Sequence, residues 1–178
     1  MELFWQTLLG GLLNGGLFAL MAIGLTIIFG VMHIINMAHG DFLMLGMYIS
    51  FWAYLFWKIS PFVSMALAFI LVMVVGALIY HFVVRRIEGQ ATENSLLLTA
   101  GISFIIASLA RYLFTPDYRR VSYPLSNEAW YLGDVSINKH AFWAFLAALI
   151  LTLLLALFLK YSRAGSAIRA TAQNRIAA

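Results

Sequence analysis

The chain has 178 residues, of which 63% are hydrophobic and only 10% are charged, and its mean hydropathy is +0.93. This composition excludes an ordinary water-soluble domain and indicates an integral membrane protein. Cysteine is absent, which excludes a disulfide framework and a thiolate metal site. The formal net charge of +4 is explained by lysines and arginines that flank membrane spans, so it does not indicate a nucleic-acid partner.

The first predicted span covers residues 4–31. Only Glu2 is charged before it and its apolar run is longer than that of a signal peptide, so we expect a span that is retained. Asn14 is a candidate pathway residue, although a hydrogen bond between helices is the simpler explanation. Beside it, small residues recur every three or four positions and form a stripe along which another helix can approach. The stripe consists of Gly11, Gly15, Ala19, Ala22, Thr26 and Gly30.

A polar cluster interrupts the apolar sequence at residues 36–41, which read N-M-A-H-G-D. The 55 residues from Leu3 to Trp57 contain one formal charge, that of Asp41. As a single helix they would be about 82 Å long, against about 30 Å for a hydrocarbon core, so a break or tight turn is predicted around residues 33–41. These polar groups either face a protein interior or a wet cavity, or form an ordinary interfacial turn. The candidate pathway residues here are His33, Asn36, His39, Gly40 and Asp41.

Three further spans are predicted, at residues 61–84, 95–114 and 141–159, and a long polar loop covers 115–140. The fourth span carries a small or hydroxylated face that serves either helix packing or a solute path, and Thr99 and Ser103 on it are candidate pathway residues. With the second span ending at Trp57, the fold class is all-α: a polytopic helical membrane protein with about five spans. Arg85 and Arg86 mark a cytoplasmic end, which places the N-terminus outside and the C-terminus inside.

The last segment, residues 162–178, is basic and rich in small residues. On a helix that starts near Gly165, one face carries Ile168, Ala172 and Ile176. Another face carries Ser166, Arg169 and Gln173. Such a short amphipathic helix either lies on anionic headgroups or docks a cytoplasmic partner.

Two stretches together resemble the permease subunits of branched-chain amino acid ABC importers. The first is G-V-M-H-I-I-N-M-A-H-G-D-F-L-M-L-G-M-Y at residues 30–48, and the second is R-A-G-S-A-I-R-A-T-A-Q-N-R-I-A-A at 163–178. The resemblance implies a bacterial inner-membrane importer whose partners are a second permease subunit, two cytoplasmic ATPase subunits, a periplasmic solute-binding protein and membrane lipid. It also implies that the terminal segment couples the permease to the ATPase. The coupling candidates are Gly165, Arg169, Ala170, Gln173 and Asn174.

The resemblance implies a transporter subunit without catalytic residues, and ATP and Mg²⁺ would be bound by the partner ATPase. The sequence agrees, because no phosphate-binding G-x-x-x-x-G-K-[ST] loop occurs in it. No cofactor and no metal are expected on this chain, since His33, His39 and Asp41 match no ligand spacing.

Members of the family continue beyond the coupling segment with further spans, whereas this sequence ends at Ala178. We therefore expect one permease domain, residues 1–178, that is incomplete at its C-terminus. Urea and short-chain amide permeases share the N-M-A-H-G-D stretch and remain an alternative. A different class, a self-contained channel or proton-coupled carrier, would use His33, His39 and Asp41 as a relay.

Overall fold

The computed structural model describes residues 1–87, 89, 92–114, 117, 119, 121, 128–132 and 135–173. They form two compact units, one made of residues 1–31 and 122–178 and the other of residues 32–121. The described elements are helices α1 (Glu2–Met32), α2 (His39–Trp57), α3 (Pro61–Phe82), α4 (Thr92–Phe114), α5 (Lys139–Tyr161) and α6 (Arg163–Gln173), a 3-10 turn (Val84–Ile87), and strands β1 (Ala129–Leu132) and β2 (Val135–Asn138).

The predicted all-α membrane architecture is confirmed. Four helical segments are long and apolar enough to cross a membrane, namely Glu2–Met32, Val63–Phe82, Thr92–Phe114 and Lys139–Tyr161. The remaining predicted span, the second in the chain, corresponds to α2, whose 19 residues begin in the polar cluster. The helix ends fall within about three residues of the predicted bounds, because long apolar runs are the strongest sequence signal of spanning helices.

In the first unit, α1 packs against α5 at a glycine. A Cβ atom built on Gly16 would meet the ring of Phe145, so the missing side chain allows this close approach. The 31 residues of α1 give it a length of about 46 Å, more than the hydrocarbon core of a bilayer requires.

The two antiparallel strands form a hairpin immediately before α5, with Trp130 opposite Ile137. Gln6 of α1 holds β2 through two hydrogen bonds of 2.9 Å: its Nε2 donates to the carbonyl of Ser136, and the Ser136 N–H donates to its Oε1. Lys139 pairs with Glu128 at 2.7 Å, which fixes the first turn of α5 to the start of the hairpin.

The second unit contains α2, α3 and α4. Lys58 ends α2 in the left-handed conformation (φ 54°), and its N–H donates to the carbonyl of Tyr54. Pro61 begins α3, where its missing N–H costs no hydrogen bond. Only three residues separate α2 from α3, and α3 returns antiparallel to α2. Ser64, fully buried, donates its hydroxyl to the Pro61 carbonyl at 2.9 Å. Arg85 and Arg86 follow α3 in the 3-10 turn.

Candidate functional site

The predicted break lies between α1 and α2. Residues 33–36 are not helical and residues 37–38 form a turn, which confirms the break. His33 has φ 56°, the left-handed region that a non-glycine residue seldom adopts, and this residue ends the continuous helix. The short interruption needs alternative partners for backbone groups that a helix would have satisfied by itself.

Asn36 and Thr99 supply those partners. The Asn36 Oδ1 accepts the N–H of Ala38 at 3.1 Å, which forms a local turn. The Thr99 hydroxyl donates to the Ile35 carbonyl at 2.8 Å and accepts the N–H of Met37 at 3.1 Å. Thr99 is only 2% exposed and Ala38 only 1%. One threonine on α4 therefore holds two backbone groups of a break more than 60 residues away in the sequence.

His39, Gly40 and Asp41 form the first turn of α2. The Asp41 N–H donates to the Ala38 carbonyl at 3.0 Å. An acidic side chain at a helix N-terminus is favourable because the unpaired N–H groups carry partial positive charge. His33 and Gly40 are exposed, whereas Asn36, His39 and Asp41 are partly buried.

α2 and α4 run in the same direction. Near the start of the pair Met37 contacts Thr99, and near its end the rings of Tyr48 and Phe114 stack at 4.4 Å. Fifteen helical residues separate Thr99 from Phe114, so the two ends of the pair lie about 22 Å apart. The buried residues of α4 are Ser95, Thr99, Ile106 and Ala110. Of these, Thr99 makes the contact with Met37.

The predicted pathway residues are brought together only in part. Thr99 joins the break as a direct hydrogen-bond partner, while Ser103, one turn further along α4, is partly buried. Asn14 belongs to the other unit, where it lies exposed on α1. Participation of these residues in a solute pathway stays a prediction. The described part of the chain contains no group of three or more His, Cys, Asp or Glu residues that could hold a metal ion.

The predicted coupling helix is α6, and a sharp corner at Ser162 precedes it. Ser162 ends α5 with extended backbone (φ −81°, ψ 153°), and its hydroxyl accepts the N–H of Gly165 at 2.8 Å. This is the bond of a helix N-cap. Gly165 is buried against the end of α5. A Cβ atom at this position would meet the backbone of Phe158 and Leu159, so only glycine permits this close approach.

The outward face of α6 is formed by other coupling candidates. Arg169, Ala170 and Gln173 are exposed, whereas Ile168 and Thr171 are partly buried on the side of Gly165. Of the described residues on the predicted apolar face, Ile168 is partly buried and Ala172 is exposed. The buried Gly165 marks the side of α6 that turns toward α5. Asn174 and Ile176 lie outside the described residues.

The sequence analysis did not predict the β-hairpin, nor the cluster in which the Arg119 guanidinium lies against the rings of Phe51 and Trp52 of α2. The hairpin had a signal, because aromatic and β-branched residues flank the dipeptide Gly133-Asp134 in the sequence. No sequence pattern predicted the Arg119 cluster, because no local spacing links Arg119 to residues of α2. Ser162 was also missed as a cap, although serine is a preferred residue at that position.

The model of the family described as branched-chain amino acid transport system / permease component matches residues 7–178. The chain therefore belongs to this family.

Individual relatives are permease proteins of high-affinity branched-chain amino acid transport systems. LivH of Salmonella typhimurium and LivH of Escherichia coli K12 are each 33% identical to this chain, over 96% of it and 59% of the relative. BraD of Pseudomonas aeruginosa is 28% identical over 96% of this chain and 60% of its own length. The chain thus spans about three fifths of the length of these relatives. No solved structure matches it.

Proposed function

We propose that this chain is the membrane-spanning part of a permease subunit in an ATP-driven, binding-protein-dependent importer of branched-chain amino acids. Its membership of the permease family and the names of its relatives support the class of solute. The observation that carries the proposal is the corner at Ser162 and Gly165, which holds a short basic helix at a fixed angle to α5.

The corner suits transmission of force from a partner to the membrane. A push on α6 is passed to α5 because the Gly165 backbone lies directly against the last turn of α5, with no flexible side chain between them. Arg169, Ala170 and Gln173 would contact a cytoplasmic ATPase, on which ATP and Mg²⁺ would be bound, whereas Gly165 would position the helix. The complete assembly would hold two ATPase subunits, a second permease subunit and a periplasmic solute-binding protein within lipid.

The break at residues 33–38 would be the bistable element on the solute path. Its backbone bonds depend on side chains of Asn36 and Thr99, so they can be exchanged at lower cost than those of a continuous helix. The carboxylate and ammonium groups of an amino acid could be received by such helix ends and amides without a full counter-charge.

The coupling proposal is tested by copurification of the tagged chain with candidate ATPase subunits from membranes. We expect Arg169→Glu to reduce captured ATPase by at least about tenfold, because reversal of an interfacial charge costs about 2–5 kcal/mol. Arg163→Glu makes the same charge change on another face of α6 and should alter capture less than about twofold. Equal loss in both variants, or capture of no ATPase by the unaltered chain, would contradict the proposal.

The proposed location is the bacterial inner membrane, with the N-terminus outside and the C-terminus cytoplasmic. The chain has no cysteine, so single cysteines can report the side directly. In intact cells stripped of their outer membrane, a membrane-impermeant maleimide should label Tyr131→Cys on the hairpin but not Gln173→Cys on α6. Both side chains are exposed, which makes them matched positions. The reverse labelling pattern would invert the topology.

A further inference from the structure

Arg119, five residues after the end of α4, places its cation beside two aromatic rings of α2. The guanidinium carbon of Arg119 lies 5.2 Å from the ring centre of Trp52 and 5.5 Å from that of Phe51. Its Nη2 also donates to the Phe114 carbonyl at 2.6 Å, at the last residue of α4. Tyr48 stacks on Phe114 and completes the cluster, which we call the arginine box (Tyr48, Phe51, Trp52, Phe114 and Arg119).

One donor of the arginine box has no acceptor. The indole Nε1 of Trp52 is buried, and no described group accepts its hydrogen. A buried N–H without a partner costs about 1–3 kcal/mol, so it is a position where an additional acceptor would stabilise the protein. Because an indole N–H can only donate, the missing group must carry a lone pair, as an oxygen does.

We propose that the arginine box binds the carboxylate of a small aliphatic amino acid. A carboxylate has two oxygens, so it can pair with the Arg119 guanidinium through one and accept the Trp52 N–H through the other. The aromatic rings offer an apolar wall against which a branched aliphatic side chain packs. The choice of an amino acid as the ligand rests on the proposed function.

Arg119 contacts the rings of Phe51 and Trp52 and donates to the Phe114 carbonyl. The carboxylate of the ligand would exchange part of these contacts for its own contacts with the guanidinium. The box lies about 22 Å along the α2–α4 pair from the break. The arginine box is therefore a second polar site on the same pair of helices, at the end opposite the break.

The test measures binding of radiolabelled L-leucine to the detergent-purified chain by scintillation proximity. Isovalerate, which keeps the carboxylate, should compete with leucine, and leucinamide, which lacks it, should not. Trp52→Phe keeps the ring but loses the donor, and it should weaken leucine binding at least about tenfold. Arg119→Gln should weaken binding at least as much.

Matched controls are Trp57→Phe and Arg111→Gln, which make the same chemical changes at exposed positions near the ends of α2 and α4. Both should leave leucine affinity within about twofold. Melting temperatures and size-exclusion profiles of all four variants show whether they remain folded. Equal effects of Trp52→Phe and Trp57→Phe, full competition by leucinamide, or no leucine binding by the unaltered chain would each overturn the proposal.

A lipid headgroup could offer the same kind of oxygen, so a further arm adds phosphatidylglycerol or phosphatidylcholine to the micelles. If phosphatidylglycerol displaces leucine but phosphatidylcholine does not, and if Trp52→Phe abolishes this displacement, the box binds a lipid phosphate. That result would overturn the assignment to an amino acid. ATPase capture by the same variants should remain at the unaltered level. A chain that captures ATPase but binds no leucine would contradict the box alone, and a chain that binds leucine but captures no ATPase would contradict only the coupling proposal.

Discussion

α1 and α4 both carry a row of small residues at helical spacing, but buried positions occur only in the row on α4. On α4, Ser95, Thr99 and Ala110 are at most 4% exposed. On α1, Gly11 and Gly15 are exposed, and a Cβ atom built on either meets nothing within 4 Å in the described part of the chain.

The physical difference lies in what the neighbouring backbone needs. The row on α4 faces a broken segment whose N–H and C=O groups require external partners, and the Thr99 hydroxyl provides them. The backbone of α1 is a continuous helix that satisfies itself, and the Thr26 hydroxyl donates to the Ala22 carbonyl of its own helix at 2.8 Å. A row of small residues therefore permits another segment to approach closely. Close packing also requires a neighbouring segment whose backbone N–H and C=O groups need hydrogen-bond partners.

The largest expected effect comes from removal of the hydroxyl that serves the break. Thr99→Val keeps the shape of the side chain but leaves the Ile35 carbonyl and the Met37 N–H without this partner, so we expect a loss of about 2 kcal/mol in the free energy of unfolding. Thr26→Val on α1 is the matched control and should change it by less than about 0.5 kcal/mol. Unfolding of purified protein in mixed detergent micelles measures both. Equal losses would mean that Thr99 has no special role at the break.

A smaller effect is expected from enlargement of the two rows. Ala110→Leu forces a larger side chain into a position that is 3% exposed, which should destabilise the chain by about 1–3 kcal/mol. Ala19→Leu, on the exposed row of α1, should be nearly neutral in the same unfolding measurement. A large loss for Ala19→Leu would show that the α1 row is covered in the purified protein, for example by a second copy.

The smallest effect distinguishes two adjacent glycines of α1. Gly15→Ala should stabilise the chain by up to about 1 kcal/mol, because alanine has the higher helix propensity and its Cβ meets nothing. Gly16→Ala should lose that gain, since its Cβ meets the Phe145 ring and the ring must shift. We therefore expect a difference of about 1 kcal/mol between the two variants. No difference would indicate that α1 and α5 do not pack closely at Gly16.

The sequence predicted much of the fold because apolar runs of membrane length leave few alternatives. The bounds of α1, α3 and α5 follow from hydropathy, and the break follows from a run that is too long for one span. The family resemblance rested on N-M-A-H-G-D and the terminal basic segment, and the family was confirmed over residues 7–178. Helical spacing also named Thr99 as a residue of interest, and the family resemblance named Gly165.

Their roles needed the three-dimensional structure. Gly165 was predicted as a residue of the coupling segment, and the structure shows that it is buried against Phe158 and Leu159 whereas Arg169 is exposed. The arginine box could not be predicted, because cation–π contacts between Arg119 and α2 join positions that no helical or strand period relates.

By itself, the sequence determined the class of protein, the apolar helices and the need for a break, since these depend on local hydropathy and on the fixed rise of a helix. Only the tertiary structure decided where the backbone bonds of the break go and which row of small residues is buried. The reason is sequence distance: Thr99 contacts the break across 62 and 64 positions, and such contacts depend on how the helices pack, which no short-range pattern encodes.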